Sequence, residues 1–376
     1  MMPIIPLSKA YIDEEIKQKI MEVVDSGWYI LGEQCRLFEK EFAEFIGTSE
    51  AVLTSSGTGA ILLALQALGV KAGDEILVPS HTAFPTVEPV LLLGAKPIFV
   101  DIDETYTLDT SLLEEKITPR TVGVLPVHLY GHPAYLDPIQ RIAEKHRLFI
   151  LEDCCQAHGA RYKGKRVGSW GKAGCFSFYP SKNLTVYGDG GIVTTSDPVL
   201  AEKVRLLRDH GRIGKYQHEV LGYNLRFNEI QAAVGRAQLQ KLEEFNRRRR
   251  ILADLYAKSL SSLPVELPRE QTWAYAVYHL YVVRIPCTGS PDRRDRLAQF
   301  LRNKGIQTGI HYPTPCHLQP ALKPFCAQPP TLPKTEKIVK EILSLPLFPE
   351  LTEEEVLYIG RSIKEFFDHE SQAASP

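Results

Sequence analysis

Leu148-Phe-Ile-Leu-Glu-Asp-Cys-Cys-Gln156 is a short apolar run that stops abruptly on two acids. Such a run reads as a strand covered on both faces, and its polar ending marks the carboxyl edge of a sheet. The same kind of run recurs at Glu75 to Pro79, Pro97 to Asp101 and Val122 to Val127, and again downstream at Gly174 to Phe178 and Gly191 to Thr195. Helical patterns lie between them, at Ala60 to Leu68 (ended by Gly69), Thr86 to Leu93, Leu136 to His146 and Pro198 to His210. Ahead of all these, Ile12, Ile16, Ile20 and Val23 line one face of a helix that stops at Gly27. Strands and helices alternating in this way predict an α/β layer with a mostly parallel sheet.

From about Asn246 the pattern changes to a charged helix, Pro-punctuated segments, a strand at His279 to Ile285, and helices near Arg293 to Lys304 and Glu353 to Phe367. This predicts a large α/β domain over 1–245, a smaller C-terminal domain over 246–367, and a polar tail, 368–376, expected to be disordered. Four consecutive arginines, Arg247 to Arg250, wrap most of the way around a helix. A solvated face or a subunit contact suits them better than a nucleic-acid patch.

Lys plus Arg number 44 against 45 Asp plus Glu, so the chain lacks the basic excess of a protein that binds nucleic acid or a membrane surface through bulk charge. Val87 to Val100, the most apolar stretch, is interrupted by Glu88, Pro89, Gly94, Lys96 and Pro97 and is shorter than the roughly 20 residues of a membrane span. The first residues carry no charged segment followed by an apolar run, so a cytoplasmic location without membrane partners is expected. Cys35, Cys154, Cys155, Cys175, Cys287, Cys316 and Cys326 form no C-x-x-C pair and are expected to be reduced and without a role.

In an open α/β sheet, ligands bind beyond the carboxyl ends of the strands, and four signals cluster at such positions. Thr54-Ser-Ser-Gly-Thr-Gly59 opens a helix with small residues; it suits a phosphate cradle or a ligand-free cap, and it is not a Walker A sequence. The acid at the end of Leu148 to Gln156 could face a cationic ring nitrogen, a metal, or backbone amides. Only His158 lies nearby as a further ligand, so no metal is expected. Gly174-Cys-Phe-Ser-Phe-Tyr-Pro-Ser-Lys-Asn183 delivers Lys182 into a turn ahead of Gly188-Asp-Gly-Gly191. A lysine shielded there from water becomes a nucleophilic amine able to form a Schiff base. Gly222-Tyr-Asn-Leu-Arg-Phe-Asn-Glu229 leads polar residues into a helix. An anion-binding helix start, an acid and a lysine in one α/β domain together describe a site for pyridoxal 5'-phosphate (PLP).

With these residues in place, the sequence resembles the PLP-dependent sugar-nucleotide aminotransferases of the DegT/DnrJ/StrS family. The likeness runs from Gly27-Trp-Tyr-Ile-Leu-Gly32 through Ser56-Gly-Thr58, Glu152-Asp153 with Gln156, Phe176-Ser-Phe178, Lys182-Asn183 and Gly222-Tyr-Asn224 to His311-Tyr-Pro313 and Ser344-Leu-Pro346. The resemblance implies the aspartate-aminotransferase-like fold (PLP fold type I). It implies Lys182 as the Schiff-base lysine, Asp153 as the acid facing the pyridine nitrogen, and Gln156 beside the cofactor. Thr58 and Gly59 fall at the phosphate's backbone site and Ser177 at a hydroxyl reaching the same phosphate. Asn224 falls at an asparagine that crosses to the neighbouring subunit, which implies a homodimer with shared sites. Tyr29, Tyr179, His311 and Tyr312 fall where substrate approaches. Many members stack an aromatic side chain on the ring after the position of Thr82; this chain has Ala83 there, which leaves His81 or Phe84 to cover that face. Ser80-His-Thr-Ala83, Pro126-Val-His-Leu-Tyr-Gly131 and His311-Tyr-Pro-Thr-Pro315 are most similar to members that aminate a 3-keto-6-deoxyhexose carried by a nucleoside diphosphate, usually dTDP, with L-glutamate as donor in a ping-pong cycle. Members that act at carbon 4 share most of these motifs. Three rivals stand beside this expectation: a PLP-dependent sugar dehydratase, which would carry histidine in place of Lys182; a non-enzymatic regulator binding PLP or a sugar nucleotide; and a metal-dependent hydrolase using Asp153 and His158.

Overall fold

The computed structural model describes residues 4–287, 292–326 and 328–373. Its centre is a seven-stranded sheet. The strands are β1 (Glu50–Thr54), β2 (Glu75–Pro79), β3 (Lys96–Val100), β4 (Thr121–Val124), β5 (Phe149–Asp153), β6 (Ala173–Ser177) and β7 (Gly191–Thr195), in the order β1-β7-β6-β5-β4-β2-β3. β7 is antiparallel to both β1 and β6, and every other pair is parallel. The sheet is therefore mixed and mostly parallel. β4 ends at Val124 rather than Val127 because Pro126 has no amide for the ladder, which resumes as a single bridge between Val127 and Asp153.

Alternation along each strand builds two cores. Leu53, Leu77 and Ile150 face one side, where they meet Phe38 and Phe42, Leu136 and Ile139, and Leu242, on helices α2 (Glu33–Ile46), α5 (Leu136–His146) and α7 (Glu229–Leu260) respectively. Val52, Ile76 and Leu151 face the other, against α3 (Gly57–Ala67), α4 (Glu88–Leu92) and α6 (Pro198–Arg208). Glu152 and Asp153, the next two residues of β5, inherit opposite sides. α1 (Glu14–Ser26) ends where sequence placed its stop: Gly27 takes a left-handed φ of 68° and returns its amide to Val24 O. The expected helix from Thr86 to Leu93 is split by Pro85 and Pro89 into a 3-10 turn, Phe84–Thr86, and α4.

Neither α2 nor β1 is among the elements expected from sequence. Yet α2 carries Cys35, Phe38, Phe42 and Ile46 at helical spacing, all buried, between charged residues. The long helix α7 passes through the expected boundary at 245/246 unbroken; its Leu242 packs with the large sheet and its Leu252 and Tyr256 with the C-terminal core. That second core surrounds the antiparallel pair β8 (Tyr281–Arg284) and β9 (Ile342–Leu345), with α8 (Arg293–Asn303) and α10 (Glu353–Ala373) against it; the short α9 (Pro333–Ile338) precedes β9.

Two expectations are corrected here. Residues 368–373, expected in a disordered tail, continue α10; Glu370 is clasped by Arg293 and Arg296, which holds the last turns on α8. The arginine run is not a solvated face. Arg248 bonds Glu353 and Leu351 O, Arg249 is buried and donates to the carbonyls of Tyr278, His279 and Leu347, and Arg250 bonds Glu270 and Ala276 O. Only Arg247 stays exposed, so the run fastens the long helix to the C-terminal segment.

Candidate active site

β6 ends at Ser177, and a turn from Tyr179 through Pro180, closed by the Lys182 amide on Tyr179 O (2.8 Å), sets Lys182 just past the strand. Burial holds its amine below the ordinary lysine range, against the opposing pulls of Cys155 and Asp153. Asp153, at the end of the neighbouring β5, is buried on the α3 side of the sheet. Its Oδ1 accepts from the Cys155 amide (3.0 Å) and its Oδ2 from the Thr86 hydroxyl (2.7 Å), which lies 2.8 Å from the Thr82 hydroxyl. Glu152 points the other way: it accepts the amides of Gly168, Trp170 and Gly171 and pairs with His128 (3.0 Å). His128, Glu152 and Cys154 lie close enough to hold a metal ion, but these bonds already occupy both Glu152 oxygens in clamping the loop at 168–171.

The start of α3 meets the ends of β5 and β6. Gly57 lets it approach so closely that a Cβ there would lie 2.6 Å from Ser177 Cβ and 3.0 Å from Cys155 Sγ. Ser56 caps the helix, accepting from the Gly59 amide (3.0 Å). The Gly59 amide, expected to serve a phosphate, is thus already engaged, and the donors that a helix start leaves over are those of Gly57 and Thr58. They lie beside Ser177, in the positive field of a buried helix end.

Above this floor, Gln156 accepts from the Tyr130 amide (2.8 Å) and donates to the Tyr312 hydroxyl (2.9 Å). Tyr130 donates its own hydroxyl to His311 O, and His81 Nε2 lies 2.7 Å from the same hydroxyl. Burial pushes the His81 imidazole down to about 4, so it is neutral near pH 7, and its Nδ1 has no partner among the described residues. His311 Nδ1 is 2.9 Å from Ser344 Oγ, and burial and the Lys182 charge push its pKa down to about 4. Lys182, Asp153, Gln156, His311 and Tyr312 are therefore linked through hydrogen bonds or mutual fields, with Ser177 beside the start of α3.

Other candidates lie elsewhere. Phe84 packs against the cluster of Val78, Val87, Phe99 and Cys316, whereas His81 sits in the polar network. Tyr179 is exposed at the rim. Tyr29 is exposed where α1 turns into α2, its hydroxyl on Val24 O, and Asn224 is exposed with its oxygen held by Arg226. Thr86, Tyr130, Cys155 and Ser344 were not expected as site residues. The repeat of threonine at 82 and 86, one helical turn apart, was the available signal for the first.

The residues present fit PLP: a small-residue helix start beside a serine, a buried carboxylate already oriented by two donors, and an amine on the adjacent strand end. Replacing Thr86 by Val should keep the fold and lower kcat about tenfold, since a hydrogen bond to a charged group contributes roughly 1.5–3 kcal/mol; an unchanged kcat would show that Asp153 is held without it.

The sequence profile of the DegT/DnrJ/EryC1/StrS aminotransferase family matches residues 10–364. The chain is 45% identical over 366 residues (96% of this chain, 98% of the relative) to the erythromycin biosynthesis sensory transduction protein EryC1 of Saccharopolyspora erythraea. It is 44% identical over 375 residues (99% and 97%) to dTDP-3-amino-3,4,6-trideoxy-alpha-D-glucose transaminase of Streptomyces venezuelae. The crystal structure of S. venezuelae DesV in complex with a ketimine intermediate superposes with a TM-score of 0.90 at 43% identity, covering 97% of this chain and 98% of that one. On this profile and these likenesses, the chain belongs to the DegT/DnrJ/EryC1/StrS aminotransferase family, and its cofactor is pyridoxal 5'-phosphate.

Proposed function

We propose that the chain transfers the amino group of L-glutamate to the C3 ketone of a dTDP-linked 6-deoxyhexose, in two half-reactions at one site. The observation that carries this is the convergence of Lys182, Asp153, the α3 start and Ser177, set beside a transaminase relative whose product bears its amine on carbon 3.

PLP, when bound, supplies an electron sink for a carbanion next to nitrogen. The protein's residues do the rest. The amides of Gly57 and Thr58 and the Ser177 hydroxyl would hold the phosphate. The Asp153 carboxylate, fixed by Cys155 N and the Thr86 hydroxyl, would face the ring nitrogen and favour its protonated form. Lys182, whose amine burial holds below the ordinary lysine range, would anchor the cofactor and, once free, would accept the donor's α-proton as a general base. His81 would cover the ring face that Ala83 leaves open. His311 and Tyr312, pinned through Ser344, Tyr130 and Gln156, meet the sugar. Two copies would share their sites, with Asn224 of each reaching the other's phosphate, and the exposed side chains of Trp28, Tyr29, Tyr216 and Leu221 offer apolar area for such a contact.

The test is to incubate the PLP-loaded protein with glutamate and a panel of 3-keto and 4-keto nucleotide sugars and locate the new amine by NMR. Amination at carbon 3 of a dTDP sugar is expected. Amination at carbon 4, or none of any sugar, would overturn the assignment.

A further inference from the structure

Asn183 follows Lys182 directly and is buried, with both hydrogens of its side-chain amide and its oxygen engaged. Its Nδ2 donates to Asn246 Oδ1 (2.9 Å) and to Val277 O (3.0 Å), and its Oδ1 lies 3.2 Å from His279 Nδ1. These partners come from separate parts of the chain: Asn246 from the middle of α7, Val277 and His279 from the segment entering β8. Asn246 passes the connection on, donating Nδ2 to His158 O (2.8 Å), on the stretch that continues from Asp153. Gly159 makes room for it, since a Cβ there would lie 2.9 Å from Asn246 Nδ2.

The orientation of the amide follows from chemistry. Val277 O can only accept, so the atom facing it is nitrogen; both hydrogens are then spent, and Oδ1 must accept. His279 Nδ1 therefore carries a hydrogen. Burial and the charges of Lys182 and Arg249 keep that imidazole neutral, so its proton sits on Nδ1 alone. The backbone beneath Lys182 thus cannot turn without breaking three buried hydrogen bonds. The same bonds tie the lysine's position to α7, to the C-terminal segment and, through His158, to the strand that holds Asp153.

We propose that Asn183 is the positioning residue for Lys182, holding the amine against Asp153 through a buried amide joint with Asn246, Val277 and His279. The proposal rests on Lys182 being the amine that carries the cofactor.

Asn183→Leu keeps the branched outline and heavy-atom count of the side chain and removes every bond without adding charge. In the full-length variant, kcat is expected to fall about 100-fold with the donor KM changed less than about threefold, the pattern of a misplaced reacting group. A second readout needs no turnover: competitive acylation of the cofactor-free full chain, followed by peptide mass analysis, gives the pH midpoint of the Lys182 amine, which should rise toward the ordinary lysine range. A lower Tm with kcat and midpoint both unchanged would overturn the proposal. If Asn183→Leu fails to fold, the wild type decides by ¹⁵N chemical shifts: a hydrogen on His279 Nδ1 supports the joint, and one on Nε2 alone overturns it. Borohydride reduction of the PLP-loaded wild type separates the two possible failures. Label on another lysine sinks the assignment of Lys182, and label on Lys182 with an unmoved midpoint sinks only the role of Asn183.

Discussion

Lys182→Ala should fold, bind PLP more weakly, lose the absorbance near about 420 nm that such cofactors show when joined to a lysine, and lose at least about 10⁴-fold in turnover. The loss is large because two functions leave together. The side chain both anchors the cofactor and takes the donor's α-proton, and its replacement opens space beside Cys155 without supplying a base. Burial pushes the Cys155 thiol well above its ordinary range, so near pH 7 it is protonated and cannot substitute. Steady-state rates with glutamate and a visible spectrum check this; a variant that still turns over within tenfold of wild type would remove Lys182 from the chemistry.

Asp153→Asn is expected to give a different profile. The amide keeps nearly the same shape: its oxygen can still accept from Cys155 N, and its Nδ2 can donate to the Thr86 hydroxyl, which then turns its own hydrogen toward Thr82, while the phosphate donors at Gly57, Thr58 and Ser177 are untouched. PLP should therefore remain bound. Without the negative charge the ring nitrogen loses its proton and the electron sink weakens, so kcat should drop by about a thousandfold, the scale of removing one preorganised electrostatic partner. Equilibrium dialysis with PLP and single-turnover kinetics with glutamate separate binding from chemistry. A near-normal rate would remove Asp153 from its role.

Much of the fold was legible because strands buried on both faces are short apolar runs with polar ends. Glu75–Pro79, Leu136–His146 and Gly191–Thr195 occur with the bounds expected from sequence. α2 was missed although its spacing is regular, because its apolar residues are diluted by charges and no strong start signal precedes it: its N-cap is Gly32, which offers no side-chain bond. What caps it instead is Glu229, far along the chain, whose carboxylate accepts the amides of Gly32, Gln34 and Cys35. A partner so distant leaves no local trace. The same reason hid Thr86, Tyr130 and the Asn183 joint, whose significance lies in contacts across β-strands and between the two cores. The order of motifs places Lys182 and Asp153 near one another, since Asp153 closes its strand, Lys182 lies just past the end of its own, and those strands are neighbours in the sheet. The sequence leaves His81 and Phe84 open as alternatives; in the fold Phe84 joins an apolar cluster and His81 meets a hydroxyl.

The most direct test is a crystal structure of the PLP-loaded protein. One cofactor molecule is expected, bonded through its aldehyde carbon to Lys182 Nζ, with its ring nitrogen within hydrogen-bond distance of the Asp153 carboxylate and its phosphate at the start of α3. A cofactor seated on another lysine, or with its ring nitrogen turned away from Asp153, would contradict this placement.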